Sequence, residues 1–156
     1  MKYPENGWNT IKQPPGSLYC GVAVVAMVMG DNFDSILQDT LLQGLMHENP
    51  TIDNPPYLSH ACEIVEYLAQ HRIHAGWTLT YKEGFSMELD TQVELDLRHT
   101  PCICTVGSKN IEGALHWVLW DCQKKRIRDP DPNVGELEVR DSYKVVDIMP
   151  LTYYED

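Results

Sequence analysis

Residues 13–30 read QPPGSLYCGVAVVAMVMG. Pro15-Gly16 is a strong turn dipeptide. Behind it stand Cys20 and Gly21, then an unbroken run of small and apolar residues from Val22 to Met29, closed by Gly30. Proline ahead of such a run and glycine behind it is the usual asymmetry of a helix. The stretch therefore predicts a helix over 20–29, apolar on every side and so buried. Cys20 stands at its N-terminal end, where backbone N–H groups lack partners and the macrodipole favours negative charge. A thiolate is stabilised at such a place, so Cys20 is predicted to be reactive. The opposing reading is a plain core cysteine. A base and an orienting group elsewhere would decide between them.

Both are present. His116 opens HWVLWD, whose apolar run reads as a strand. A charged turn follows at Gln123-Lys124-Lys125, then Arg126-Ile127-Arg128 and Asp129-Pro130-Asp131-Pro132. The pattern is that of a β-hairpin. A two-residue turn at Cys122 and Gln123 would set His116 opposite Asp129, on one face, with Cβ atoms roughly 4.5–5.5 Å apart. A slip of one residue would send the two side chains to opposite faces. Asp121 and Asp131 are then the other carboxylates within reach.

On these residues the chain resembles the papain-like cysteine peptidases, and most closely the compact bacterial type that removes double-glycine leader peptides. The matching stretches are Gln13, CGVAVVAMVMG from Cys20, PCICTV from Pro101, HWVLW from His116 and IRDP from Ile127. The resemblance covers about 120 residues, from Gln13 to Pro132. It implies Cys20 as nucleophile, His116 as base, Asp129 as orienter and Gln13 as oxyanion-hole donor. It also implies a peptide or protein substrate, with cleavage after Gly-Gly as one habit of the family. Gln13 lies seven residues before Cys20, one more than is usual there, and the segment from His116 to Asp129 is short for the family.

Composition bounds the rest. At 156 residues the chain is long enough for one core and short for two ordinary domains, so residues 1–156 read as a single domain. Acidic residues outnumber basic ones 23 to 12, and no basic stripe is visible, which argues against nucleic acid and against anionic membranes as partners. Val22 to Met29 is too short to span a bilayer. The N-terminal residues are polar, with no apolar h-region. Five cysteines, an odd count without a secretory signal, suggest reduced thiols and a cytoplasmic protein, with a secreted effector as the alternative. Nothing in the sequence specifies an oligomer.

Along the chain, residues 1–19 read as an extended arm in which Trp8 and Tyr19 either line a cleft or pack on the core. Asp31 to Asp34 reads as a turn and cap. Ile36, Leu37, Thr40, Leu41 and Leu45 predict a helix over about 34–46, and 47–56 reads as a proline-rich loop. A helix over about 57–71 would bury Leu58, Cys62, Val65, Leu68 and Ala69. Strands are expected at 73–80, 101–106, 134–139 and 145–148, a turn at 82–84, a surface helix over about 87–98 and a loop at 108–113. The tail from Tyr153 is expected to fray. Helices come mainly first and strands mainly last. That order argues for α+β with a segregated antiparallel sheet, which is also the papain-like order: nucleophile helix from one half, His and Asp from strands of the other.

Other chemistries compete. Cys102 and Cys104 share one face of a strand, and His116 and Cys122 are the residues that would bring a zinc site to four ligands. The Cys-x-Cys spacing is not that of paired structural zinc ligands, so no metal and no cofactor are expected. Gly107 and Gly113 fit no nucleotide fingerprint. His47, His60, His71, His74 and His99 read as surface or structural. The readings left open are a cysteine peptidase or isopeptidase, an acyltransferase using the same three residues, and a catalytically silent module that binds a peptide or partner protein.

Overall fold

The computed structural model describes residues 3–4, 7–49, 54–57, 61–76, 99–135 and 138–154. Its first regular element is α1 (Cys20–Met29), in which every residue from Gly21 to Val28 is buried. The helix ends where the sequence demands: Gly30 takes φ +69°, and its N–H turns back to Ala26 and Met27 carbonyls. Each fully buried Val or Met here contributes about 1.5–3 kcal/mol, so the run that reads as a buried helix anchors the core.

The helix expected over 34–46 is two: α2 (Phe33–Leu37) and α3 (Thr40–Leu45). Asn32 caps the first through Ser35 N–H at 2.8 Å. Asp39 breaks the run. Its backbone is extended, its carboxylate accepts Leu41 N–H at 3.0 Å, and its other oxygen accepts the Tyr67 hydroxyl at 2.7 Å. A side-chain cap outcompeted the helical spacing.

The proline-rich loop carries a small antiparallel ribbon, β1 (His47–Asn49) with β2 (Asn54–Tyr57). The paired residues are His47 with Tyr57 and Asn49 with Asn54, so Pro55 and Pro56 fall between ladder partners and need no donor. Next, α4 (Ala61–Gln70) buries Glu63, Ile64, Tyr67 and Leu68. The expected face is therefore rotated, and Cys62 is exposed rather than core. Leu58 lies outside the described residues, as do 77–80 of the expected strand, the turn at 82–84 and the helix at 87–98.

The remaining strands are β3 (Ile73–Ala75), β4 (Cys102–Gly107), β5 (Leu115–Asp121), β6 (Arg126–Arg128), β7 (Glu138–Val139) and β8 (Val145–Tyr153). They form one six-stranded sheet in the order β3-β8-β4-β5-β6-β7, antiparallel throughout. The protein is thus α+β. β8 runs well past its expected end. Tyr153 does not fray: it pairs with Ile73, and its hydroxyl reaches the Val28 carbonyl at 2.5 Å.

Strand alternation gives the sheet two buried faces. Ile103, Leu119, Met149 and Leu151 join α1, α4 and Trp8 in the larger core. Cys102, Cys104, Val106, Val118, Trp120, Ile127, Val145 and Ile148 form a second cluster with Tyr143. Burial on both faces explains why β4 reads as a continuous apolar run instead of an alternating one. Trp8, 1% exposed, belongs to the core. No helix among the described residues is long and apolar enough to cross a membrane.

Candidate active site

Cys20 is the first residue of α1, and His116 lies near the start of β5. The residue before Cys20, Tyr19, makes no side-chain cap. The turn ahead of it is closed by Ser17 N–H on the Pro14 carbonyl at 3.1 Å, with Gly16 at φ +70°. Cys20 and His116 line one cavity of about 670 Å³ together with Gln13, Ser17, Trp117 and Asp131. Neither Trp8 nor Tyr19 contributes to it. Tyr19 instead packs on Phe33, ring centroids 5.9 Å apart.

The imidazole is held by a carboxylate. His116 Nε2 lies 2.6 Å from Asp129 Oδ1. The Cys20 side chain also acts on the ring, and its proximity helps to raise the His116 pKa. The hairpin reaches this arrangement by a register other than the expected one. Leu119 pairs with Arg128 and Asp121 with Arg126, so four residues, Cys122 to Lys125, make the turn. Asp121 is the cause. Its Oδ1 accepts the N–H groups of Gln123 and Lys124, each at 3.0 Å, and Lys125 takes φ +52°. Extended past its last pair, this register sets Asp129 opposite Val118, not His116. The displacement is two residues, which preserves the face. Asp129 thus meets His116 as a diagonal neighbour.

Three donors converge on the Asp129 carboxylate. Besides His116, Oδ1 accepts the Asp131 N–H at 2.8 Å, and Oδ2 accepts the Tyr143 hydroxyl at 2.5 Å. Burial alone would raise its pKa. The His116, Tyr143 and backbone hydrogen bonds, with the imidazolium charge, hold it below the ordinary carboxylate value. For His116 burial works the other way and favours the neutral ring. Hydrogen bonds and charge from Asp129 and Cys20 outweigh it and lift the pKa to about 10. The ring is therefore an imidazolium at neutral pH, between a carboxylate and a sulfur.

Gln13 is fastened by its main-chain N–H to the Pro130 carbonyl at 2.8 Å. Its Nε2 donates to the Ser17 carbonyl, also at 2.8 Å. An amide nitrogen has two hydrogens, so one remains for a ligand. The other carboxylates near His116 have different work. Asp121 Oδ2 takes a two-pronged hydrogen bond from Arg128, at 3.1 and 2.7 Å. Asp131 lines the cavity and is bonded by the Asn110 amide across its mouth.

The remaining thiols differ sharply. Cys102 and Cys104 are fully buried among apolar side chains, and burial pushes the Cys104 thiol well up, with Cys102 and Asp147 adding to it. Burial and Asp121 also raise Cys122. Among the described residues no three His, Cys, Asp or Glu side chains converge as metal ligands. His74 and His99 are exposed, and His71 stacks on Tyr67 with ring centroids 4.7 Å apart. Tyr143, which holds Asp129, was missed by sequence reasoning. It stands in the polar stretch RDSYK between two strands, and only its being the single aromatic there sets it apart.

Ile111 and Leu115 stand on the cavity rim, 64% and 65% exposed. Their loop is closed at its base by Ser108 N–H on the Ala114 carbonyl at 2.8 Å. No family model matches the chain, and no curated protein matches it significantly.

Proposed function

We propose that this protein is a cysteine peptidase, a thiol hydrolase of papain-like arrangement in which the helix carrying the nucleophile packs on an antiparallel sheet carrying the base. The observation that supports it most is the His116 imidazole bonded to a buried, threefold hydrogen-bonded Asp129 and lining one open cavity with Cys20. A side-chain relay of this kind is what a thiol nucleophile needs, whereas a surface that only binds peptides has no use for all three groups.

In the reaction, Cys20 sulfur attacks the scissile carbonyl carbon as thiolate. A C–S bond forms, and the carbonyl π pair moves onto oxygen. The Cys20 backbone N–H, at the start of α1, and the free Gln13 Nε2 hydrogen stabilise that oxyanion, a contribution of a few kcal/mol per donor. As the carbonyl re-forms, the C–N bond breaks and His116 gives its proton to the leaving amine. A water then passes a proton to His116 and attacks the thioester, and C–S cleavage returns the thiolate. Asp129 keeps the ring oriented and the imidazolium stabilised throughout.

The test compares fluorogenic peptides ending in Gly-Gly and in Ala-Ala, with wild type and Cys20→Ala. Turnover by wild type and its loss in the variant supports a peptidase, and a Gly-Gly preference supports the double-glycine habit. No turnover of any peptide by wild type, with peptide binding equal in both proteins, would make the chain a binding module instead.

A further inference from the structure

Lys12 immediately precedes Gln13. Its ammonium lies among four main-chain carbonyls: Asp129 at 2.8 Å, Asp131 at 3.0 Å, Val134 at 2.8 Å and Gly135 at 3.4 Å. An ammonium has three hydrogens, so at least one is shared. All four oxygens belong to the segment that starts at Asp129. That segment has little ladder of its own. β6 ends at Arg128, and Pro130 and Pro132 have no N–H to give. What fixes it locally are small turns: Asn133 N–H on Asp131 Oδ1 at 2.9 Å and Val134 N–H on the Asp131 carbonyl at 3.2 Å. Four carbonyl dipoles pointed at one spot repel each other unless a cation occupies it.

We propose that Lys12 is a positioning residue for the Cys20–His116–Asp129 site: its ammonium draws residues 129–135 into the ring that presents the Asp129 carboxylate to His116. The inference rests on the cysteine-peptidase reading. Lys12 touches no reacting atom. Because Gln13 N–H holds Pro130 in the same stretch, two neighbouring residues of the N-terminal arm serve both ends of the site. Lys12 places the orienting carboxylate, and Gln13 faces the cavity.

The groups that face His116 are Cys20 and Asp129, with Tyr143 behind Asp129. Losing Asp129 from Nε2 therefore reads out directly in the His116 titration, followed by NMR in the full chain without any substrate. The wild-type midpoint is expected near 10. In Lys12→Met it should fall by about one unit or more, a tenfold loss of proton affinity, while the protein stays folded. In Lys12→Ala, added potassium or methylammonium should enter the carbonyl ring and move the midpoint back up. On a turned-over peptide, kcat should drop about 10²-fold with KM little changed.

A folded Lys12→Met with an unshifted midpoint overturns the proposal, and so does Lys12→Ala that neither cation moves. If Lys12→Met does not fold, Lys12→Arg carries the test. A planar guanidinium does not replace a point charge in a carbonyl ring, so a lowered midpoint supports the proposal and an unchanged one refutes it. A lowered midpoint beside a wild type that cleaves nothing would sink the peptidase reading alone.

Discussion

Replacing Tyr143 by Phe removes one hydroxyl and leaves the ring. That hydroxyl donates to Asp129 Oδ2 at 2.5 Å, with Tyr143 4% and Asp129 1% exposed. Among the described residues it is the only donor to Oδ2, so the variant leaves a buried carboxylate oxygen without a partner. Hydrogen bonds to charged groups contribute about 1.5–3 kcal/mol, and the orphaned oxygen places the expected loss in the upper half of that range. Lys109 Nζ, 4.2 Å from the ring centroid, keeps its cation–π contact in the variant, so the hydroxyl alone is tested. The pH dependence follows from the direction of the Asp129 shift. Its folded pKa is depressed, so its stabilisation is present above the ordinary carboxylate value of about 3.9 and is lost as pH falls through the folded value. The Tyr143 bond is one cause of that depression. Without it the folded pKa moves up, and acid unfolding begins at higher pH. Urea unfolding over a series descending from pH 7 should show the full gap between the proteins at neutrality and a shrinking gap in acid. A loss under about 0.5 kcal/mol at pH 7, the size of an ordinary surface change, or a gap that does not change with pH, would refute the reasoning.

Three further outcomes are expected. His116 has a raised pKa, so its contribution is fully present below the ordinary value of 6.5 and is lost as pH rises through about 10; wild-type stability should decline across that window, and the decline should be absent from His116→Gln. Substoichiometric iodoacetamide near pH 6, read by peptide mass spectrometry, should label Cys20 ahead of exposed Cys62, because the His116 imidazolium stands beside the former, and buried Cys102 and Cys104 should stay unlabelled. Asp121→Ala should lower stability by about 3–5 kcal/mol in urea unfolding, because it leaves the buried Arg128 guanidinium without its carboxylate and also removes the acceptor that holds the hairpin turn.

What was legible in the sequence was whatever a local rule governs alone. The 20–29 helix is such a case: a composition fit only for the interior, punctuated by proline and glycine. The order of helices and strands gave the α+β class. Where two local rules compete, the sequence does not say which prevails. Helical spacing ran unbroken through Asp39, yet its side-chain cap ended α2 and began α3. The hairpin turn lengthened because Asp121 accepts two N–H groups. His116 and Asp129 nevertheless meet, because a strand's face depends only on odd or even displacement. Tyr143 and Lys12 were illegible for another reason. Each acts on Asp129 across the fold, one from the turn before β8 and the other from the arm before α1, and no periodicity encodes such a meeting.

The position of β8 has a bearing on synthesis. This strand lies between β3 and β4, yet it is made after every other strand of the sheet. Residues as distant as Ile73 and Tyr153 must pair before the sheet can close. Such non-local pairing makes for slow folding. A nascent chain that already contains Cys20, His116 and Asp129 still has a gap in the middle of its sheet, and the hydroxyl that steadies Asp129 comes only at residue 143. A ribosome-bound fragment ending soon after Pro132 therefore carries all three reactive groups but lacks the strand between β3 and β4 and the Tyr143 hydroxyl. On the peptidase reading, the late strand acts as a timing device: the sheet that carries the base closes only once β8 has been made.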